Sequence, residues 1–317
     1  QSTRRICERR FQRDLEDHST LTTPSFENIR TFLLAAFIAM EQPQTHLAWT
    51  YISIAAGMCH SLGYHRKCTL ERTVEAEHRQ LVRQVFWTVY LIDRSTYFVL
   101  GFKSNFVDEE IDQPHHDLSD DPQQRPWDEY FRVYTAFSRQ QGRFQRTSLS
   151  AAAANLCDKQ RQSIVDGIST DISDIQCTLQ SINFQEARYP DSLTNAVCAA
   201  HNQAYSLLTC VHWARSDPQT RPMINHECQR YARLALITFT NVPCTAEGSL
   251  LLRDTNLVTW MFTTYSFVPM MVVYICLLKA NDPSDRDLLA RTHHILETNK
   301  ERSKDAARLC EVVSVFL

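Results

Sequence analysis

Apolar side chains recur along almost the whole chain at the 3.6-residue period of a helix, and their densest run lies between Leu81 and Leu100. Val82, Val85, Phe86, Val89 and Ile92 fall on one helical face, while Leu81, Trp87, Leu91 and Phe98 cover much of the rest. A helix that is apolar nearly all round is buried in a core rather than laid on its surface. Neither Gly nor Pro interrupts it until Gly101, which stands where a left-handed terminating residue belongs. Beyond it the chain turns acidic, with Asp108, Glu109, Glu110 and Asp112 ahead of Pro114. The pattern predicts a long central helix from Glu71 to Leu100, then an acidic loop over 101–126.

The flanking elements carry the same period. Residues 1–22 read as a polar linker. Thr23-Pro24, with Glu27 behind it, opens a helix that carries Ile29, Phe32, Leu33, Ala36, Phe37 and Met40. Leu47 to Leu62 is rich in small residues that allow close helix approach, and Gly63 ends it. A further helix starts near Trp127. Residues 142–190 form an irregular polar insertion, with two imperfect helices expected between Ser148 and Ile182. Tyr189-Pro190-Asp191 opens the next helix, through Val197, Tyr205, Leu208 and Val211, and Pro222 opens another. Leu250 to Lys279 is predicted to kink at Pro269, and an amphipathic helix begins near Asp285. No segment alternates with period two for long enough to make a strand. The expected fold is all-α, a single large multi-helix domain over 1–317 packed around buried central helices.

Composition narrows the classes of function. Six glycines in 317 residues is about 2%, against a usual share of roughly 7%. No two fall in a G-x-G pattern, which excludes a dinucleotide fingerprint and a P-loop, and there is no G-x-S-x-G elbow. A formal charge of -3, from 33 basic and 36 acidic residues, gives no overall attraction to nucleic acid. Arg4, Arg5, Arg9, Arg10 and Arg13 gather near the start, but Glu8, Asp14, Glu16 and Asp17 interleave with them, as on a solvated helix. Eleven scattered cysteines without a C-x-x-C read as reduced thiols of an intracellular protein. The uncharged stretch from Thr255 to Leu278 is long enough to span a bilayer, yet its polar residues and Pro269 mark a buried helix, so no membrane contact is expected. Gln1 in place of Met suggests a piece of a longer protein.

Arg83-Gln-Val-Phe-Trp-Thr-Val-Tyr-Leu-Ile-Asp93-Arg94, then Gly101, then Val107-Asp-Glu-Glu-Ile-Asp112 resembles the signature of the fungal-specific transcription factor domain. That is the middle homology region, the regulatory part of fungal zinc-cluster activators. The family's Arg-x-Val-Phe-Trp helix carries an aspartate near its end and leads through a Gly-Arg-Pro turn into an acidic Ile-Asp-x-Pro segment. Here Gly101-Phe102-Lys103 replaces that turn, and His115 and His116 follow Pro114. Leu62-Gly-Tyr-His-Arg66 is similar to a recurrent Leu-Gly-Leu-His-Arg segment. Tyr205, Cys228-Gln-Arg-Tyr-Ala-Arg233 and Trp260 to Asn281 are similar to later helices of the family. The resemblance implies a nuclear regulator without catalytic activity that controls transcription, for instance of metabolic or secondary-metabolite genes, in response to a small molecule or a co-regulator. It also implies a six-cysteine zinc cluster that contacts DNA, and a dimerisation segment, both upstream of Gln1. Zinc and DNA are therefore expected of that module and no cofactor of these residues, with homodimerisation left open.

Two aromatic-rich helices offer walls for an effector pocket: Phe86, Tyr90, Asp93 and Tyr97 on one, Trp260, Thr264 and Tyr265 on the other, with His201 and Tyr205 nearby. At helical spacing the same residues also read as core. Asp93 is a carboxylate in an apolar helix and needs a partner: Arg94, Arg83 or Arg30, or the polar group of a ligand. Cys59, His60, His65 and Cys68 lie within ten residues, but neighbours on a helix point about 100° apart, so no metal site is expected there. His115-His116 and His293-His294 diverge in the same way. Asn281-Asp282-x-x-Asp285 resembles half of the magnesium-diphosphate site of all-α terpene cyclases, although Pro283 inside it favours a capping turn. The alternatives to a regulator are thus a cyclase-like magnesium enzyme and a helical scaffold that binds only proteins.

Overall fold

The computed structural model describes residues 23–41, 44–101, 103–214, 224–241, 261–300 and 304–316. They form eleven α-helices and no strand, the all-α fold that the periodicity predicts. The chain divides into two compact units, residues 1–117 and 118–317.

The first unit holds α1 (Phe26–Glu41), α2 (Thr45–Ser61), α3 (Lys67–Thr73) and α4 (Arg79–Leu100). Ser25, rather than Thr23, caps α1, its hydroxyl accepting from the Asn28 N–H at 3.1 Å. Ala35, Ala36 and Ala39 of α1 and Ala48, Ala55 and Ala56 of α2 are all buried, so these two helices meet through methyl groups at close range. Helix α2 stops as its sequence predicts. Gly63 has φ +70°, its N–H bonds the His60 carbonyl and the Tyr64 N–H bonds the Cys59 carbonyl, the two bonds of a Schellman turn. The expected continuous helix from Glu71 to Leu100 is instead broken. Val74 and Glu75 are extended, and a short 3-10 turn over Ala76–His78 precedes α4. Arg79 holds the break, donating to the Val74 and Glu71 carbonyls at 2.9 and 2.6 Å, so it satisfies α3's last carbonyls. Helix α4 is buried on every side from Val89 to Thr96.

The second unit holds α5 (Arg125–Phe144), α6 (Asp158–Gln180), α7 (Pro190–Ala214), α8 (His226–Thr240), α9 (Phe267–Ala280), α10 (Pro283–Asn299) and α11 (Lys304–Ser314). Between Ser148 and Ile182 the structure has a π turn, a 3-10 turn and one 23-residue helix, α6, in place of two imperfect helices. Its buried stripe is sparse, Val165, Ile168, Ile172 and Leu179, on an otherwise polar helix. Helix α7 packs against α5, α6, α8 and α9. Its buried Asn202 donates to the Ala235 carbonyl at 2.8 Å and to Ser266 Oγ at 3.2 Å, tying α7 to α8 and to the turn before α9. Helix α8 starts at His226 behind an Asn225 cap; Pro222 lies outside the described residues. The irregularity expected at Pro269 falls one turn earlier. Phe262–Ser266 is a π turn and Pro269 sits buried in the first turn of α9, where its missing N–H leaves the preceding carbonyls free to widen the turn. An apolar cluster gathers α8 to α11 around Leu236, Phe262, Val273 and Leu289. Among the described residues no helix is long and apolar enough to cross a membrane.

Candidate functional site

The residues of the acidic signature form a clasp inside the first unit. After Gly101, at φ +69°, the chain turns back along α4. Asp93, fully buried, meets none of the three expected arginines through a hydrogen bond. Ser104 Oγ donates to it, as do the Asn105 backbone N–H at 3.1 Å and Nδ2 at 2.6 Å. Arg30 turns to Glu27 and Arg83 to Gln113, while Arg94 adds only its nearby charge. Burial pushes the Asp93 carboxyl above the ordinary carboxylate range, and the Ser104 and Asn105 hydrogen bonds offset part of that rise. Where an arginine or the polar group of a ligand is expected, the structure places a set of neutral donors carried by the returning loop.

Arg94 serves the next station. Its Nη2 donates to the Phe106 carbonyl and to Asp108 Oδ1, both at 3.0 Å. Tyr90 donates to the same Asp108 oxygen at 2.6 Å while the guanidinium lies 5.1 Å over its ring. Burial pushes the Tyr90 hydroxyl up, so it stays a donor. Phe106 packs against Phe86 and Tyr90 with centroids 5.6 Å away in each case. Further along, Asp112 accepts from the Lys67 N–H at 2.7 Å, a carboxylate at the start of α3. Gln113 donates to the Tyr64 carbonyl at 3.0 Å, Trp87 Nε1 donates to the Pro114 carbonyl at 3.0 Å, and His115 stacks on the Trp87 ring at 4.5 Å. Phe86, Tyr90 and Asp93 are thus engaged with one another's neighbourhood and with the loop.

His201, Tyr205 and Tyr265 belong to the second unit. Tyr265 is buried in the π turn. His201 and Tyr205 begin a half-buried ladder of rings: Tyr205 stacks on His201 and on Tyr231, each at 6.4 Å, and Tyr231 meets His212 at 5.3 Å. Two side chains of α6 meet the ladder's histidines, Gln176 Nε2 donating to His201 Nδ1 at 3.4 Å and Ser169 Oγ lying 3.2 Å from His212 Nε2. Burial lowers the His201 pKa, which favours the neutral ring. Behind Gln176 lies a small apolar gap between α5, α6 and α7, with about 10 Å³ of free space, what a single water molecule needs. Its aromatic wall, Tyr130, Tyr134 and Phe137 on α5, escaped sequence reasoning, though all three fall on one helical face. Trp260 lies outside the described residues, as do the linker 1–22 and the side chains of Tyr97 and Thr264.

Of the first set of metal candidates, His60 and His65 meet with ring centroids 4.8 Å apart. Cys59 is buried and Cys68 exposed, while His60 bonds the Asn105 carbonyl at 3.1 Å. Asn281 takes a left-handed conformation at the end of α9, and Asp282 caps α10 through the Ser284 N–H at 2.9 Å. Arg233 of α8 then takes both carboxylates of the magnesium candidate: Asp285 through two bonds at 2.6 and 2.9 Å, and Asp282 through one at 3.1 Å. Among the described residues the ligand atoms that gather are those of Glu75, Glu77 and His78, all exposed, and no group of cysteines does so; the described cysteines do not fit a zinc cluster.

A family model described as the fungal specific transcription factor domain matches residues 6–194. Over 89 residues, 28% of this chain and 11% of the relative, the chain is 30% identical to an uncharacterized transcriptional regulatory protein of Schizosaccharomyces pombe. A second uncharacterized transcriptional regulatory protein of that yeast is 28% identical over 90 residues, 28% of this chain and 14% of the relative. The chain therefore matches only a small part of each relative's length. No solved structure matches it. With its signature helix and acidic loop both inside the matched span, the chain belongs to the fungal specific transcription factor domain family.

Proposed function

We propose that these residues are the regulatory part of a longer nuclear transcription factor and set the activity of a DNA-binding module carried elsewhere in that protein. The family match over 6–194 carries this reading. The geometry agrees with it, because the signature's charged residues bind one another and the returning loop, as a scaffold requires. By resemblance the partner module is a zinc cluster that contacts DNA, working as a homodimer. Control comes from a small effector or a co-regulator that prefers one packing of the helices and so shifts the population towards it. Among the described residues, the half-buried His201–Tyr205 ladder is the place we assign to an effector. The magnesium-enzyme alternative is disfavoured by Arg233, which already pairs with Asp282 and Asp285. The test is a fusion of the 317 residues to a heterologous DNA-binding domain in a fungal reporter strain. Reporter output is expected to differ from that of the DNA-binding domain alone. Equal output across growth conditions would refute the regulatory reading.

A further inference from the structure

Helix α9 is apolar on every side before Lys279, yet only part of its surface is buried. Val272, Val273 and Cys276 sit in the apolar cluster that α9 shares with α8 and α10. The other side carries Val268, Met271, Ile275 and Leu278, at the i, i+3, i+7 and i+10 positions of one helical face. Val268 and Leu278 are 38% and 68% exposed, and Met271 and Ile275 are partly buried. Tyr274 meets the Phe316 ring, just past the end of α11, at 4.9 Å. Val312, one turn before Phe316, is 45% exposed, so α11 extends the patch along one edge. The solvent side of a surface helix is ordinarily polar, and a contiguous apolar face of this kind marks a contact with another molecule.

We propose that this face pairs with its own copy across a two-fold axis, joining two chains through antiparallel α9 helices. The spacing of the stripe is what selects a second copy. A two-fold contact sets residue i against residue j of the other chain and j against i, so the patch must complement itself. With the axis midway between Met271 and Ile275, Met271 of one chain meets Ile275 of the other. Val268 then meets Leu278, a smaller side chain opposite a larger one. The single charge of α9, Lys279, falls opposite Phe267 and not opposite its own copy, so the pairing sets no like charges of this helix together. With Val312 and Phe316 included, the two faces bury on the order of 1,000 Å² together, the size of a reversible interface and not of an obligate one. The stripe lies beyond residues 6–194, the span that the family model matches. Such a contact would serve the homodimer of the proposed function, but it is measured without that reading.

The experiment is sedimentation of the purified 317-residue chain over a range of concentrations. A monomer–dimer equilibrium with its midpoint in the micromolar range is expected of an interface this small. Leu278→Glu, at the most exposed position of the stripe, should weaken the dimer at least about tenfold while the circular dichroism spectrum stays that of the folded chain. Leu34→Glu, at an exposed apolar position on α1, is the control and should leave the dimer unchanged. Met271→Glu and Ile275→Lys should each be monomeric alone. Mixing these two variants should restore a dimer with one chain of each kind, because the antiparallel axis sets the new carboxylate against the new ammonium. A chain that stays monomeric at about 100-fold above the micromolar range overturns the proposal and leaves the face to a different protein or to another part of the polypeptide. A dimer indifferent to Leu278→Glu overturns it too, as does a mixture of the two charged variants that fails to pair. An active reporter fusion beside a monomeric chain removes this interface and leaves the regulatory function standing; the reverse result does the opposite.

Discussion

At the scale of the residue, Asp93 carries the most. Its carboxylate gathers donors from Ser104 and Asn105 while itself fully buried. Removing the acceptor strands those donors, and Asp93→Ala is expected to cost about 3–5 kcal/mol of stability by denaturant unfolding. Asp93→Asn keeps the shape and one acceptor, so a smaller loss of about 1–2 kcal/mol is expected. The pH dependence has a definite sign. Burial raises this carboxyl above its ordinary value, so the folded chain holds the proton more tightly than the unfolded one. Between the ordinary carboxylate value and the raised one, folding takes up a proton, and Asp93 favours the folded state more as pH falls. The stability gap between wild type and Asp93→Asn should therefore widen when unfolding is repeated at lower pH within that window. A gap that narrows would mean that the hydrogen bonds outweigh burial. The sequence singles this residue out as needing a partner but does not reveal Ser104 and Asn105, because the loop that returns to it lies eleven residues on and nothing local announces the contact.

Among the elements, those punctuated by glycine were the legible ones. Gly63 and Gly101 marked the ends of α2 and α4 because only their left-handed φ lets the chain leave the helix there. A Cβ at Gly63 would also stand 2.6 Å from Thr69 Cγ2. Gly63→Ala is expected to destabilise by about 1–2 kcal/mol or more, from the left-handed backbone and the clash together. Pairing it with Thr69→Ala should recover the clash but not the backbone cost, a coupling that a double-mutant cycle measures. The break between α3 and α4 was illegible for the opposite reason. No Gly or Pro marks it, and it is held by one guanidinium folded back onto two carbonyls. Helix α6 hid because four buried residues in twenty-three make a weak stripe, and the polar remainder looks like loop. The Asn281–Asp285 turn was read rightly as a cap, but Arg233, 52 residues from Asp285, is invisible at that range. Arg233→Met leaves the buried Asp285 carboxylate unpaired between α8 and α10. A loss of about 1–3 kcal/mol, moderated by the partial exposure of the arginine, should appear in the unfolding midpoint.

For the whole molecule, the question is whether these residues touch DNA themselves. Affinity for duplex DNA grows with the number of phosphates neutralised, and its logarithm falls with salt in proportion to that number. The chain has 33 basic against 36 acidic residues. Many of its arginines are already matched inside their own unit: Arg66 to Asp112, Arg94 to Asp108, Arg143 to Asp171, Arg233 to Asp285. Each such cation would have to leave a carboxylate to meet a phosphate, and the unpaired carboxylate would then repel the backbone. The arginines near the start are interleaved with acids in the same way. A duplex of mixed sequence is therefore expected to stay unretarded by micromolar protein at about 50 mM salt, where basic DNA-binding proteins already bind non-specifically. The control is the full-length protein, in which the proposed DNA-binding module should retard its own site under the same conditions. Retardation by the 317 residues alone, with a midpoint that weakens steeply as salt rises, would place a DNA-contacting stripe in this chain and end the division of labour between a regulatory part and a separate reading module.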